Sequence, residues 1–217
     1  MIQTVLFDFD GTLFDTGEGI LRSVQYALEG FGIHETDTAR LRKFVGPPLL
    51  DSFSELYAMQ PAQARAATER YRERYQPIGV YECEIYPGIP ELLLRLQQAG
   101  FRMAIVSNKA DPAVQLIRTL YFDGIIDVAV GESSACAKKP APDMVLAALQ
   151  RLGSTADDAI YLGDSEVDLQ TARNSGLPCA TVGWGFRTEA ELRAAGAQTV
   201  YHSPEALGKA LLNGSIQ

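Results

Sequence analysis

Two patterns of apolar residues alternate along this chain. Val5-Leu6-Phe7 is a short continuous apolar run that stops at Asp8-Phe9-Asp10-Gly11-Thr12. Such a run reads as a buried parallel strand ending in a tight polar loop. Ile20, Val24, Ala27, Leu28 and Phe31 then recur at helical spacing on one face, and Gly30 and Gly32 close that helix. From Asp37 to about Gly79 the pattern stays helical. Phe53, Leu56 and Tyr57 form one stripe, Ala64, Ala67, Tyr71 and Tyr75 another, and Gly46-Pro47-Pro48 divides the two halves. No strand pattern lies between residues 16 and 84.

Beyond residue 84 strands and helices take turns. Ile89, Leu92, Leu93 and Leu96 predict a helix just after Pro87-Gly88. Strands are predicted at 101–106, 126–130, 160–162, 179–182 and 199–201. Helices are predicted at 114–121, 145–152, 168–175 and 189–195. Alternation of this kind implies βαβ units and a parallel sheet covered on both faces. The helical block after the first strand is too long for one crossover. The expected architecture is therefore α/β: a doubly wound parallel-sheet core over 1–15 and 85–217, with an inserted all-helical cap over 16–84.

The 217 residues are 47% apolar and 21% charged, ordinary for a folded chain with a core of its own. Lys and Arg number 19 against 27 Asp and Glu, a net charge of −8. That surface disfavours a nucleic-acid polymer or an anionic membrane as the main partner, but a bound cation can still admit a small phosphate ester. No apolar run is long enough for a transmembrane helix, and Met1-Ile2-Gln3-Thr4 lacks the features of a signal peptide. Cys83, Cys136 and Cys179 are far apart and odd in number, which reads as reduced thiols and a cytoplasmic location.

In open α/β sheets the ligand sits at the carboxyl ends of the strands. The polar residues expected there are Asp8 and Asp10, Ser107 and Asn108, Lys139, and Asp164. Asp8 and Asp10 are two apart, so in extended backbone both point to one side. Carboxylates that close repel unless a cation intervenes, and Asp164 adds a third. Oxygen ligands without a His/Cys cluster favour Mg²⁺. Asp168, four residues on, would share a helical face with Asp164 if helix begins there. Singly these motifs are weak, since DxD is commonly a surface turn, most lysines are solvated and Asp is a preferred helix cap. Their order, each at a predicted strand end, makes them specific.

Asp8-Phe9-Asp10-Gly11-Thr12, Ser107, Lys139-Pro140 and Gly163-Asp164-Ser165-Glu166-Val167-Asp168 resemble the four motifs of the haloacid dehalogenase superfamily. The resemblance spans nearly the whole chain and implies a Rossmann-like core with a helical cap that closes over small substrates. It further implies Asp8 as nucleophile, becoming an aspartyl-phosphate, and Asp10 as general acid and then base. Lys139 would neutralise charge on Asp8 and the phosphoryl oxygens. Ser107, Asn108, Gly11 and Thr12 would hold the phosphate. Mg²⁺ would bind Asp8, the Asp10 carbonyl and Asp164, with Asp168 acting from behind them.

Asp10 favours phosphoryl transfer, because the dehalogenases of the family carry no second aspartate in the first motif. A cap lysine serves the family's phosphonatases, but Lys43 reads as a solvated surface residue. The expected substrate is a small phosphorylated metabolite. Lys138-Lys139-Pro140-Ala141-Pro142-Asp143 resembles phosphoglycolate phosphatases. Residues 44–53 and 86–90 resemble a 5′-nucleotidase-like branch, and a β-phosphoglucomutase-like transferase is a third reading. Gly46-Pro47-Pro48 reads equally as a specificity loop or a rigid turn. Arg22, Arg42 and Lys43 read as helix-face charges, Trp184 as packing, and His34 and His202 as bystanders. A phosphorelay receiver would need its phosphorylated Asp after the third strand, where this chain has Val130-Gly131-Glu132. A non-catalytic binding module would have lost one of the motif residues, all of which are present.

Overall fold

The computed structural model describes residues 2–216. The chain folds into two compact units, Met1–Phe14 with Ile85–Gln217, and Asp15–Glu84. It leaves the first in strand β2 (Phe14–Asp15) and returns in β3 (Glu84–Ile85), which pair as a small separate sheet.

The larger unit is built on six strands: β1 (Thr4–Phe7), β4 (Arg102–Ala110), β5 (Val128–Glu132), β6 (Ala159–Gly163), β7 (Cys179–Val182) and β8 (Val200–Tyr201). They lie in the order β5-β4-β1-β6-β7-β8, every pair parallel. Leu6, Ala104, Val106 and Tyr161 pack on one face with Met144, Val145, Ala148 and Leu149 of α7 (Asp143–Leu152) and Ala172 of α8 (Glu166–Asn174). The alternate set, Val5, Phe7, Ile105, Ile160 and Leu162, is also fully buried. Both faces are therefore covered, which is why these strands read as unbroken apolar runs. The remaining helices of this unit are α5 (Ile89–Gln98), α6 (Asp111–Phe122), α9 (Glu189–Ala194) and α10 (Pro204–Leu212).

The strand order reverses at β1. The chain builds outward through β4 and β5 on one side, then returns to β6, β7 and β8 on the other. In such a sheet the crevice opens at the carboxyl end of the strand where direction switches. Phe7 is level with Ile105 and with Leu162, so the residues just beyond β1, β4 and β6 emerge together.

Three local differences from the pattern reading have clear causes. β4 runs on to Ala110 because its register against β5 shifts between Val106 and Ala110. An irregularity there leaves Ser107, Asn108 and Lys109 off the regular ladder, a device that re-aims side chains. α8 starts at Glu166, so Asp164 lies before the helix and shares no helical face with Asp168. The C-terminal helix α10 has no counterpart in the pattern reading, although its signals were present: Ser203 caps it, Pro204 occupies its first turn, and Leu207 and Leu211 are buried.

The smaller unit holds α1 (Gly17–Glu29), α2 (Thr38–Arg42), α3 (Leu49–Tyr57) and α4 (Pro61–Tyr75). Val24, Ala27 and Leu28 of α1 are fully buried, as are Ala64 and Ala67 of α4. Arg74 pairs with both oxygens of Glu82, at 2.8 and 2.9 Å, and also reaches Ser23 Oγ at 3.0 Å. Arg22 lies on Glu82 too, at 3.0 Å, as an exposed helix-face charge. Pro48 stands in extended conformation just before α3, so Gly46-Pro47-Pro48 lies in the connection between α2 and α3. Lys43 and His34 are exposed, as is His202 of the larger unit.

Candidate active site

The turn after β1 is built by its own backbone. Leu13 and Phe14 both donate N–H bonds to the Phe9 carbonyl at 3.1 Å, and Gly11 donates to the Phe14 carbonyl at 2.8 Å. Phe9 is fully buried and stacks on Phe14, ring centroids 4.7 Å apart, so an aromatic anchor holds the loop to the core. Gly11 sits at φ +82°, where a side chain is strained, and a Cβ there would also collide with Asp164. This turn therefore lies directly against the end of β6.

Asp8, Asp164 and Asp168 offer carboxylate oxygens that all fall within 4.8 Å of one another, and all three are buried. Lys139 enters from the loop after β5. Its ammonium lies 2.7 Å from Asp8 Oδ1, 2.8 Å from Asp168 Oδ1 and 3.1 Å from the Tyr161 hydroxyl. An ammonium has three protons, and these partners use all three. Tyr161 in turn donates to the Val106 carbonyl at 3.0 Å. Asp168 has both oxygens engaged, because Oδ2 accepts from the Ser165 N–H at 3.1 Å and the Ser165 hydroxyl at 2.6 Å. This is a capping box at the start of α8, and it fixes Asp168 beside Lys139. Asp164 Oδ2 accepts the Phe186 N–H at 2.7 Å. Asp8 and Asp164 thus each have one oxygen held and a second beyond that bond.

The electrostatics follow from burial. Removal from water pushes the Asp8 carboxyl well above the usual carboxylate range, and Asp168 and Asp164 push it further against the opposing pull of Lys139. Burial and the Asp168 charge raise Asp164 to about 7, partly offset by the Phe186 N–H. Burial alone would lower the Lys139 ammonium, but Asp168 and Asp8 hold it well above an ordinary lysine. Asp8, Asp164 and Asp168 set three buried carboxylates against the single charge of the Lys139 ammonium. The surplus of negative charge and the hard oxygen donors fit a divalent cation.

Asp10, expected beside Asp8, is not part of this trio. Its Oδ1 accepts from Lys109 Nζ at 2.9 Å. The Asn108 side chain faces Lys139, whose N–H it accepts at 2.8 Å and whose carbonyl it bonds at 3.1 Å. That clamp sets the Lys139 backbone. Ser107 is buried at the end of β4, and its hydroxyl accepts the Lys109 N–H at 3.2 Å. The Thr12 hydroxyl is buried without a hydrogen-bond partner among the described residues. The Trp184 indole donates to the Thr12 carbonyl at 3.0 Å, so Trp184 packs by pinning the first turn.

Lys109, Tyr161 and the Phe186 N–H are parts of the centre that the sequence reading passed over. Lys109 had one available signal, its position two residues after Ser107. Tyr161 reads only as strand core, and a backbone N–H leaves no trace in a side-chain pattern. The Phe186 contact depends on its neighbour, since a Cβ on Gly185 would run into Asp164 and the Gly11 carbonyl. Gly185→Ala is accordingly expected to cost about 1–3 kcal/mol of stability through overpacking, read as a lower Tm. An unchanged Tm would mean the loop yields freely.

A family model described as haloacid dehalogenase-like hydrolase matches residues 5–182. The chain is 39% identical over 191 residues to a 5′-nucleotidase from Pseudomonas aeruginosa, covering 88% of this chain and 86% of that one. It is 33% identical over 187 residues to a phosphoglycolate phosphatase from Xanthomonas campestris, covering 85% of each. A crystal structure of a predicted phosphatase from Clostridium acetobutylicum superposes with a TM-score of 0.88 at 36% identity, covering 98% of this chain and 99% of the other. With sheet order, buried acidic centre and sequence in agreement, the chain belongs to the haloacid dehalogenase-like hydrolase family.

Proposed function

We propose that this protein is a Mg²⁺-dependent phosphomonoesterase that works through an aspartyl-phosphate on Asp8. One observation carries the reading: a buried carboxylate at the switch point of a parallel sheet, paired with a buried lysine inside a centre with surplus negative charge. Asp8, the Asp10 carbonyl and Asp164 would hold the cation. When bound, it would supply positive charge to the phosphoryl oxygens and relieve repulsion among the carboxylates.

Asp8 would attack phosphorus in line with the ester oxygen. The Asp8–phosphorus bond forms as the ester bond breaks, and Asp10 gives its proton to the departing alkoxide. Asp10, now a carboxylate, would accept a proton from the water that attacks the aspartyl-phosphate. Inorganic phosphate leaves and Asp8 is restored. Lys139 would hold Asp8 Oδ1 fixed so that Oδ2 is the attacking atom. Ser107, the Asn108 backbone, Gly11 and Thr12 would receive the phosphoryl oxygens. The buried Thr12 hydroxyl, without a hydrogen-bond partner among the described residues, supports a polar ligand there. Asp168 would act through Lys139, since both of its oxygens are already engaged.

For the substrate, the resemblance of the Lys138–Asp143 stretch to phosphoglycolate phosphatases supports phosphoglycolate. The higher identity to the relative named 5′-nucleotidase, 39% against 33%, favours nucleoside monophosphates. Phosphate release from phosphoglycolate, nucleoside monophosphates, sugar phosphates, pyrophosphate and p-nitrophenyl phosphate decides between them. Activity is expected to vanish with EDTA and to return with Mg²⁺. Undiminished turnover in EDTA would refute the metal, and no release from any ester would refute the phosphatase reading.

A further inference from the structure

Lys109 is an unusual lysine. It lies at the irregular end of β4, on the strand side of the crevice, yet its side chain is only 5% exposed. Lysine ammonium groups are rarely buried unless something holds them. Here its Nζ lies 2.9 Å from Asp10 Oδ1 and 5.2 Å from the centre of the Phe9 ring. Its backbone N–H is tied to the Ser107 hydroxyl. The residue is therefore fixed at both ends, between the first turn and the end of β4. Asp10 itself is 23% exposed in its side chain, open enough to meet a ligand.

We propose that Lys109 is a positioning residue for Asp10. Resting on the reading of Asp10 as general acid, the inference adds which oxygen does the work. An oxygen that accepts an ammonium hydrogen bond is the poorer place for a proton. Lys109 on Oδ1 assigns the transferable proton to Oδ2 and fixes the rotation of the carboxyl group. In the bond-breaking step the proton on Oδ2 passes to the leaving alkoxide, and Lys109 neither gains nor loses one. Ester groups that leave as poor alkoxides need that proton, whereas p-nitrophenolate leaves without it. The contribution of Lys109 should therefore depend on the leaving group.

The test compares kcat/KM for an alkyl phosphate, such as a nucleoside monophosphate turned over by the parent enzyme, with kcat/KM for p-nitrophenyl phosphate, in saturating Mg²⁺. Lys109→Met keeps the buried stem against Phe9 and removes the ammonium. It is expected to lose about 10–100-fold on the alkyl ester and less than about threefold on the aryl ester, a fraction of the whole general-acid effect. Lys109→Arg keeps a donor within reach of Oδ1 and should recover most of the alkyl-ester rate. It also carries the test if Lys109→Met does not fold. Equal losses on both esters, no loss on either, or an Arg variant as poor as Met would overturn the inference. Asp10→Asn separates the two claims. Leaving-group dependence in Asp10→Asn without any in Lys109→Met sinks the role of Lys109 alone. A leaving-group-independent loss in Asp10→Asn sinks the acid reading and this inference with it.

Discussion

Asp8→Asn is expected to abolish phosphate release, a loss on the order of 10⁴–10⁶-fold if the side chain forms the covalent bond. A carboxamide has nearly the same shape but no nucleophilic oxygen. The expected effect on stability is the opposite. Burial, with the charges of Asp168 and Asp164, holds the Asp8 carboxyl well above its ordinary value despite Lys139. A carboxyl whose folded-state pKa lies above its unfolded one costs stability when ionised, and at neutral pH the unfolded chain ionises freely. Removing the charge relieves that cost. In metal-free buffer the variant should unfold at the parent temperature or above it. Near-parental hydrolysis by Asp8→Asn would refute the nucleophile, and a Tm well below the parent would refute the electrostatic account.

Lys139→Met is expected to lose both activity and stability. The Lys139 side chain is 4% exposed, Asp168 is fully buried and Asp8 is 11% exposed, so little water replaces a lost ammonium. Removing one partner of a buried ion pair costs about 3–5 kcal/mol because the other charge stays behind unpaired. Two carboxylates would stay behind here. The Tm of a chain this size should fall by about 10 °C, and turnover by about 10²–10³-fold for a lost electrostatic contact to the reacting group. Adding Asp168→Asn should return part of the stability, since it removes one orphaned charge, and a double-mutant cycle measures how much. A Tm within a degree or two of the parent would show that the carboxylates take up protons at little cost. The two variants together distinguish chemistry from support: Asp8→Asn should separate activity from stability, and Lys139→Met should lose both.

Much of this centre was legible in the linear sequence, for a definite reason. A parallel strand buried on both faces has to be apolar until it ends, so the first polar residues after it mark the rim of the sheet. Asp8, Ser107 and Asp164 are all such residues, and Lys139 sits in a connecting loop. The helical block was equally plain, because its stripes keep one period throughout. Where the reading fell short, the cause was an interaction between distant segments or a local break in a regular pattern. Asp164 would share a helical face with Asp168 only if helix began at Asp164, and Ser165 takes the cap position, so α8 begins at Glu166 and leaves Asp164 outside it. Strand spacing pairs Asp10 with Asp8 but says nothing of Lys109, whose ammonium reaches the Asp10 carboxyl from the end of β4.

The sequence by itself determined the fold class, the alternation of strand and helix, and which polar residues stand at strand ends, because hydrophobic period and strand termination are local properties of the chain. Only the tertiary structure decided the pairings. Lys139 with Asp8, Asp168 and Tyr161, Lys109 with Asp10, and the Phe186 N–H with Asp164 join segments from about 20 to 130 residues apart. No periodicity spans such distances. Those pairings follow from strand order and register, which bring distant strand ends level with one another, and from burial, which makes an unpaired charge there costly.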